Sequence, residues 1–248
     1  GEGSMIFTLI RVELLKVKRS LALLMMLACP LMVAILCFGV QLKTNKTGVI
    51  RWDMYWAGNT AIWGYFMFPL YLALITGLLN GNEHKNATWR LMLTLPIQSR
   101  QLFLAKFALA VIFMFGANLA LILMTSLAIF VFGLLGFSTL QAFEFDFLRF
   151  IFFACISALP ILVFQHWISW RVQNIVAPLA AGVIATMGIL QIGQSENWIY
   201  YPWSYVMTAL NATSIDVRHQ AIILASTVAV CLLGILTYWI GRRGVEFE

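Results

Sequence analysis

Six long apolar stretches recur along this chain with almost no charge inside them, and that feature dictates the solvent in which it folds. They run roughly from Leu21 to Val40, Ala61 to Leu79, Phe107 to Leu135, Leu148 to Ser169, Ile175 to Ile192 and Ala221 to Ile240. About twenty residues of helix rise about 30 Å, the thickness of a bilayer's hydrocarbon core. Only 10% of the 248 residues are charged and 62% are apolar, whereas soluble domains carry about a quarter and about a half. Too little charge remains to cover a water-facing surface. Lipid offers no partner to an unpaired amide, and the pattern lacks the two-residue alternation of a barrel, so the spans are helices. The sequence predicts an all-α integral membrane protein with six transmembrane helices. The third run is overlong and is expected to tilt, kink or leave the membrane near Gly133 and Gly136.

The first run is too long for a signal-peptide core, and no small-residue cleavage site follows it. Gly1 to Ser4 read as an expression remnant ahead of a natural start at Met5, with residues 5–248 forming a single membrane domain. With the N-terminus inside, six crossings leave eleven of the sixteen Lys and Arg residues on the cytoplasmic side and five outside, which favours both termini inside. This distribution accounts for the net charge of +6 without nucleic acid, for which no basic stripe or motif exists. Cys29, Cys37, Cys155 and Cys231 all fall within spans, and none shows CxxC spacing. They read as small apolar packers, with no metal site among them.

Three polar stretches carry more information. Residues 5–19 place Ile6, Ile10, Leu14 and Val17 at helical spacing among basic positions, the pattern of a helix lying along the inner surface. After the second span, residues 80–100 read NGNEHKNATWRLMLTLPIQSR. Glu83 to Leu95 can form a short amphipathic helix ended by Pro96, with Trp89, Met92 and Leu93 on its apolar face. Its two readings are a docking surface and a helix floating at the lipid interface. Beyond the fifth span, Trp198, Tyr200, Tyr201, Trp203 and Tyr205 crowd around Pro202, a density that suits an aromatic belt at an interface. Likewise Trp52, Tyr55, Trp56 and Trp63 either form a vestibule or anchor the second span.

Glu83, Ala87-Thr88-Trp89-Arg90, Leu93-Thr94-Leu95-Pro96, Ser99-Arg100 and Lys106 together resemble the permease subunits of ABC-2-type transporters, particularly those of antimicrobial-peptide (lantibiotic) immunity and export systems. The resemblance implies that the segment after the second span is a coupling helix seated in a groove of an ATP-binding subunit. Glu83 would head it, and Trp89, Arg90, Leu93 and Arg100 would face the ATPase or the adjoining membrane surface. Positive-inside anchoring is the competing role for Arg100 and Lys106. The resemblance also implies short re-entrant helices at the outer mouth, where Trp198, Tyr201, Trp203 and Tyr205 would form a gate. It further implies two copies of an ATP-binding subunit, which would carry ATP and Mg, and a second permease, identical or homologous, in a bacterial inner or plasma membrane.

The chain contains no GxxxxGK[ST] loop, so any ATP hydrolysis belongs to a separate polypeptide. Ion-driven transporters keep ionisable groups at membrane depth; here only His166, beside Gln165, lies deep in a span. It either bonds a neighbouring helix or lines a pathway. An intramembrane metalloprotease would need HExxH, which is absent. Two classes remain: the membrane subunit of an exporter for an amphipathic peptide, antibiotic or lipid-like cargo, and a non-catalytic anchor or sensor accessory. In a cysteine-free background, Lys85→Cys is predicted to react with an impermeant thiol reagent from the cytoplasmic side and Asn45→Cys from outside. Labelling of both from one side would overturn the topology.

Overall fold

A computed structural model describes residues 2–17, 20–86 and 98–243, and among the described residues the ordered secondary structure is helical. Helix α1, Glu2–Val17, precedes α2, Leu21–Thr44. Helix α3, Trp52–Ile62, continues through a π-helical turn at Trp63–Met67 into α4, Phe68–Asn86. Then come α5, Ser99–Leu134; α6, Phe147–Arg171; and α7, Val176–Ile192. A 3-10 turn at Glu196–Tyr200 and the short α8, Ser204–Asn211, lead to α9, Ile215–Arg243.

Among the described residues, five units are long and apolar enough to cross a bilayer: α2, the α3–α4 unit, α5, α6 and α9. Helix α7, at 17 residues, reaches about 25 Å, the lower end of the spanning range. The predicted runs therefore reappear as helices, with three starts moved earlier. Helix α5 begins at Ser99 rather than Phe107 and α9 at Ile215 rather than Ala221. The second run begins at Trp52 rather than near Ala61, because Trp52, Tyr55 and Trp56 are buried against protein and not spread along an interface. The overlong third run also breaks near Gly133 and Gly136. Helix α5 ends there in a Schellman motif, with Phe137 N–H bonded to the Phe132 carbonyl and Gly136 N–H to that of Gly133. Gly136 adopts φ +91°, which glycine alone takes without strain.

Helix α5 is the hub, touching α1, α2, α4, α6 and α9. Without a hydrophobic drive between helices in lipid, close approach of small residues matters most. Ala105, Ala110 and Ala117 on α5 and Ala154 and Ala158 on α6 are fully buried. On α7, a Cβ added to Gly182 would lie 2.5 Å from Ala73 Cβ on α4 and 2.7 Å from Gln165 Nε2 on α6. Large apolar side chains cover the perimeter instead, among them Met32, Phe130, Ile184 and Val230, as a lipid-facing surface requires.

The π turn precedes Pro69, which lacks an amide and whose ring crowds the carbonyl four residues back, that of Tyr65. Widening the ladder to i→i+5, seen as Phe68 N–H on the Trp63 carbonyl, accommodates that loss. Gly64, inside this turn, lets Val206 and Leu210 of α8 approach.

Gly182→Ala is predicted to lower the thermal unfolding midpoint of the purified protein, the overpacking costing about 1–3 kcal/mol. Gly58→Ala, where an added Cβ meets nothing within 4 Å, should cause no loss. Equal midpoints for the two variants would contradict the α4–α6–α7 packing.

Candidate functional site

The α3–α4 unit is pinned to its neighbours by buried hydrogen bonds spaced along its length. Trp52 Nε1 donates to the Ser138 carbonyl at 3.0 Å, and Trp56 Nε1 to that of Ala142 at 2.8 Å. Deeper, Thr125 Oγ1 donates to Asn59 Oδ1 at 3.2 Å, Trp63 Nε1 to Asn118 Oδ1 at 3.0 Å, and the Tyr71 hydroxyl to the Phe113 carbonyl at 2.8 Å. The aromatic residues at the start of this unit thus fasten the loop after α5, a role neither the vestibule nor the anchor reading described.

His166 lies in the same interior. Its Nε2 is 3.0 Å from the Phe103 carbonyl and its Nδ1 3.0 Å from Asn80 Nδ2. A carbonyl only accepts, so Nε2 carries the proton and Nδ1 accepts from Asn80: a neutral imidazole joining α4, α5 and α6. Asn80 Nδ2 also lies 2.7 Å from Ser169 Oγ, and Phe103 stacks on the ring at a 4.4 Å centroid separation. Of its two sequence readings, this geometry matches the inter-helix bond.

The strongest electrostatic feature sits at the end of the bundle where α4 finishes and α5 begins. Lys106 is 1% exposed and Glu13 2%. Their Nζ and Oε2 atoms are 2.8 Å apart, Lys106 Nζ lies 3.2 Å from the Leu79 carbonyl, and Glu13 Oε1 accepts from Lys16 at 2.8 Å. The ammonium is thus held inside the protein, on Glu13 and the Leu79 carbonyl, a contact that neither the docking nor the anchoring reading of Lys106 described. Helix α1 is turned accordingly: Leu9, Glu13 and Val17 are its buried face, while Leu14, on the expected apolar stripe, is 41% exposed, as a residue facing lipid would be. The ion pair selects the face, because a buried ammonium without a counter-charge is untenable.

Glu83 falls within α4, but its side chain lies outside the described residues, as do Trp89, Arg90 and Leu93. Arg100 stands in the first turn of α5, exposed, with Nη2 3.2 Å from Gln98 Oε1. At the opposite end, the structure brings Trp198, Tyr201, Trp203 and Tyr205 together. The Tyr201 hydroxyl donates to the Ala185 carbonyl on α7, in space left by Gly188, and the Tyr205 hydroxyl donates to that of Ile199 at 2.5 Å. Trp203 packs edge-on against Phe164 of α6 at 5.4 Å, and Trp198 against Tyr205 at 6.1 Å. Burial pushes both tyrosine hydroxyls above their ordinary pKa, so they stay protonated donors at neutral pH. Beside them, Tyr65, Trp198, Met207 and Asn211 line a cavity of about 410 Å³.

Sequence reasoning missed Glu13, Asn80 and Asn118. Each is a polar residue whose partner lies on another helix, legible only once that helix is in place.

A multi-pass helical bundle with an aromatic cap at one end, and with an ion-paired entry helix at the roots of its α4–α5 connection at the other, is the membrane component of a transport system in form. The family described as ABC-2 family transporter protein matches residues 9–189, and the chain belongs to that family. It is therefore a permease component of an ABC transporter, a class that works with an ATP-binding partner. No curated protein matches the chain.

Glu13→Ala, which strands the Lys106 ammonium, is predicted to destabilise the purified protein by about 3–5 kcal/mol, whereas the apolar pair Glu13→Leu with Lys106→Met costs much less. Thermal unfolding of both variants is the check. A harmless Glu13→Ala would show that the pair does not hold α1 to the bundle.

Proposed function

We propose that this permease exports an amphipathic peptide, antibiotic or lipid-like molecule by alternating access. Two copies of an ATP-binding subunit drive it, and it pairs with a second permease, identical or homologous. The observation that carries the reading is the root of the α4–α5 connection. Residues 87–97 join two helices that are clamped to each other and to α1 through Lys106, the Leu79 carbonyl and Glu13. A push on that connection is delivered to a braced unit rather than to a free loop end, as a rigid-body transition requires.

In this reading Glu83, Trp89, Arg90 and Leu93 dock on the ATPase, which binds ATP and Mg. Its closure rocks the paired bundles between inward and outward access. The Tyr201–Trp203–Tyr205 cap closes the outer mouth. An amphipathic cargo is supported by the chemistry of the bundle's free faces, which are almost wholly apolar, and the peptide-immunity class by the motif around Trp89.

The proposed orientation has both termini cytoplasmic in a bacterial inner or plasma membrane. It is supported by the gathering of Lys16, Arg100, Arg171 and Arg242 at one end, whereas Asp53, Glu144, Asp146, Glu196 and Asp216 lie at the other.

In vesicles carrying the reconstituted complex, Glu83→Arg and Trp89→Ala are each expected to leave assembly of the permease intact and to cut ATP-driven cargo movement by at least about tenfold, a loss of about 1.4 kcal/mol of coupling. Transport at the unsubstituted rate in both variants would refute the docking role.

A further inference from the structure

Where the N-terminus of α5 meets the C-terminal turns of α9, the bundle carries a cavity of about 500 Å³ lined by Gln98, Ser99, Arg100, Thr237, Tyr238 and Arg242, among others. Among the described residues, no carboxylate lines it. Neither Arg100 nor Arg242 has an acidic partner among the described residues; Arg100 reaches only the Gln98 amide oxygen, and Arg242 lies over the Tyr238 ring at 4.8 Å. The positive end of the α5 dipole adds to these two charges. Inside, the Thr237 hydroxyl is shut off from solvent and has no hydrogen-bond partner. Two guanidiniums, a helix N-terminus and an unanswered hydroxyl form a donor set that fits one anion with several oxygens.

The surroundings identify its source. On α9, Cys231, Ile235, Tyr238 and Arg242 follow one another at i, i+4, i+7 and i+11, and all four are exposed, so they form a single outward stripe. Along it the chemistry passes from apolar to aromatic to cationic, the order of depths in a phospholipid from acyl chain through the glycerol region to phosphate. Arg171 over the Trp239 ring, at 4.9 Å, repeats the aromatic–cation level one position further round the helix. We propose that this cavity holds the phosphate of an anionic phospholipid, with Arg100 and Arg242 as its forks, Thr237 as a third donor, and the acyl chains lying along α9 beside Ile235. Basic pockets between membrane helices bind such headgroups in this manner. Arg100 then serves the membrane rather than the ATPase, and the lipid pins α9 to the root of α5.

The test is native mass spectrometry of the purified full chain in neutral detergent, titrated with phosphatidylglycerol and, separately, with phosphatidylcholine. The unsubstituted chain should retain a single phosphatidylglycerol in preference to phosphatidylcholine. Arg100→Gln with Arg242→Gln should bind it about tenfold more weakly. Lys43→Gln with Lys46→Gln, an equal loss of charge at the opposite end, should leave binding unchanged. Arg242→Gln alone, at an exposed side chain, preserves the test if the double exchange fails to fold. Unchanged binding in the arginine variants, or an equal loss in the lysine control, would overturn the site. Displacement of the lipid by excess inorganic phosphate would reassign it to free anions, and loss of a copurifying ATPase with lipid binding intact would return Arg100 to the docking surface.

Discussion

Hydrocarbon supplies no hydrogen bonds and no counter-ions, so every polar group carried into the bilayer must be answered by another part of the chain. The backbone answers itself by forming helices. Many side chains are answered in pairs: Trp63 by Asn118, Tyr71 by the Phe113 carbonyl, His166 by Asn80 and the Phe103 carbonyl, and Lys106 by Glu13, whereas the buried Gln165 amide has no partner among the described residues. Each pair joins two helices, and together they fix the register of the α3–α4 unit against α5 and α6. Alanine- and glycine-rich contacts then bring the backbones close enough for these bonds to form.

The same constraint separates the two ends of the molecule. At one, a buried ion pair makes α1, α4 and α5 a braced unit around the connection that the family membership assigns to a transporter's membrane component. At the other, Tyr201 bonds the Ala185 carbonyl of α7 and Trp203 packs on Phe164 of α6, while the Tyr205 hydroxyl ties α8 to the 3-10 turn at Ile199. Ties of this kind suit two packings exchanged as rigid bodies, because the bonds within each unit survive while the contacts between units change.

Much of the fold was legible because the length of an apolar run and the thickness of a bilayer are commensurate; the span ends at Ser169 and Ile192 needed little more than that. The early start at Trp52 was not legible. Aromatic residues at a span boundary face lipid headgroups or protein with equal ease, and only the loop carbonyls of Ser138 and Ala142 decide between them. The protein-facing side of α1 was not legible either: hydrophobic spacing marks the stripe of Ile6, Ile10, Leu14 and Val17, whereas the ammonium of Lys106, far along the chain, captures Glu13. In the candidate site, the outer aromatics were found by their density in sequence. Asn80 and Asn118 were not, since an isolated amide in an apolar run reveals nothing until its partner on another helix is in place.

Whether this permease works with an ATP-binding partner is decided most directly by purifying it from native membranes in mild detergent, identifying the bound proteins by mass spectrometry and measuring ATP hydrolysis of the complex. The account predicts recovery of an ATP-binding subunit whose hydrolysis is stimulated by an amphipathic cargo. Reproducible isolation of the intact permease without any ATPase, under conditions that preserve its lipids, would contradict it.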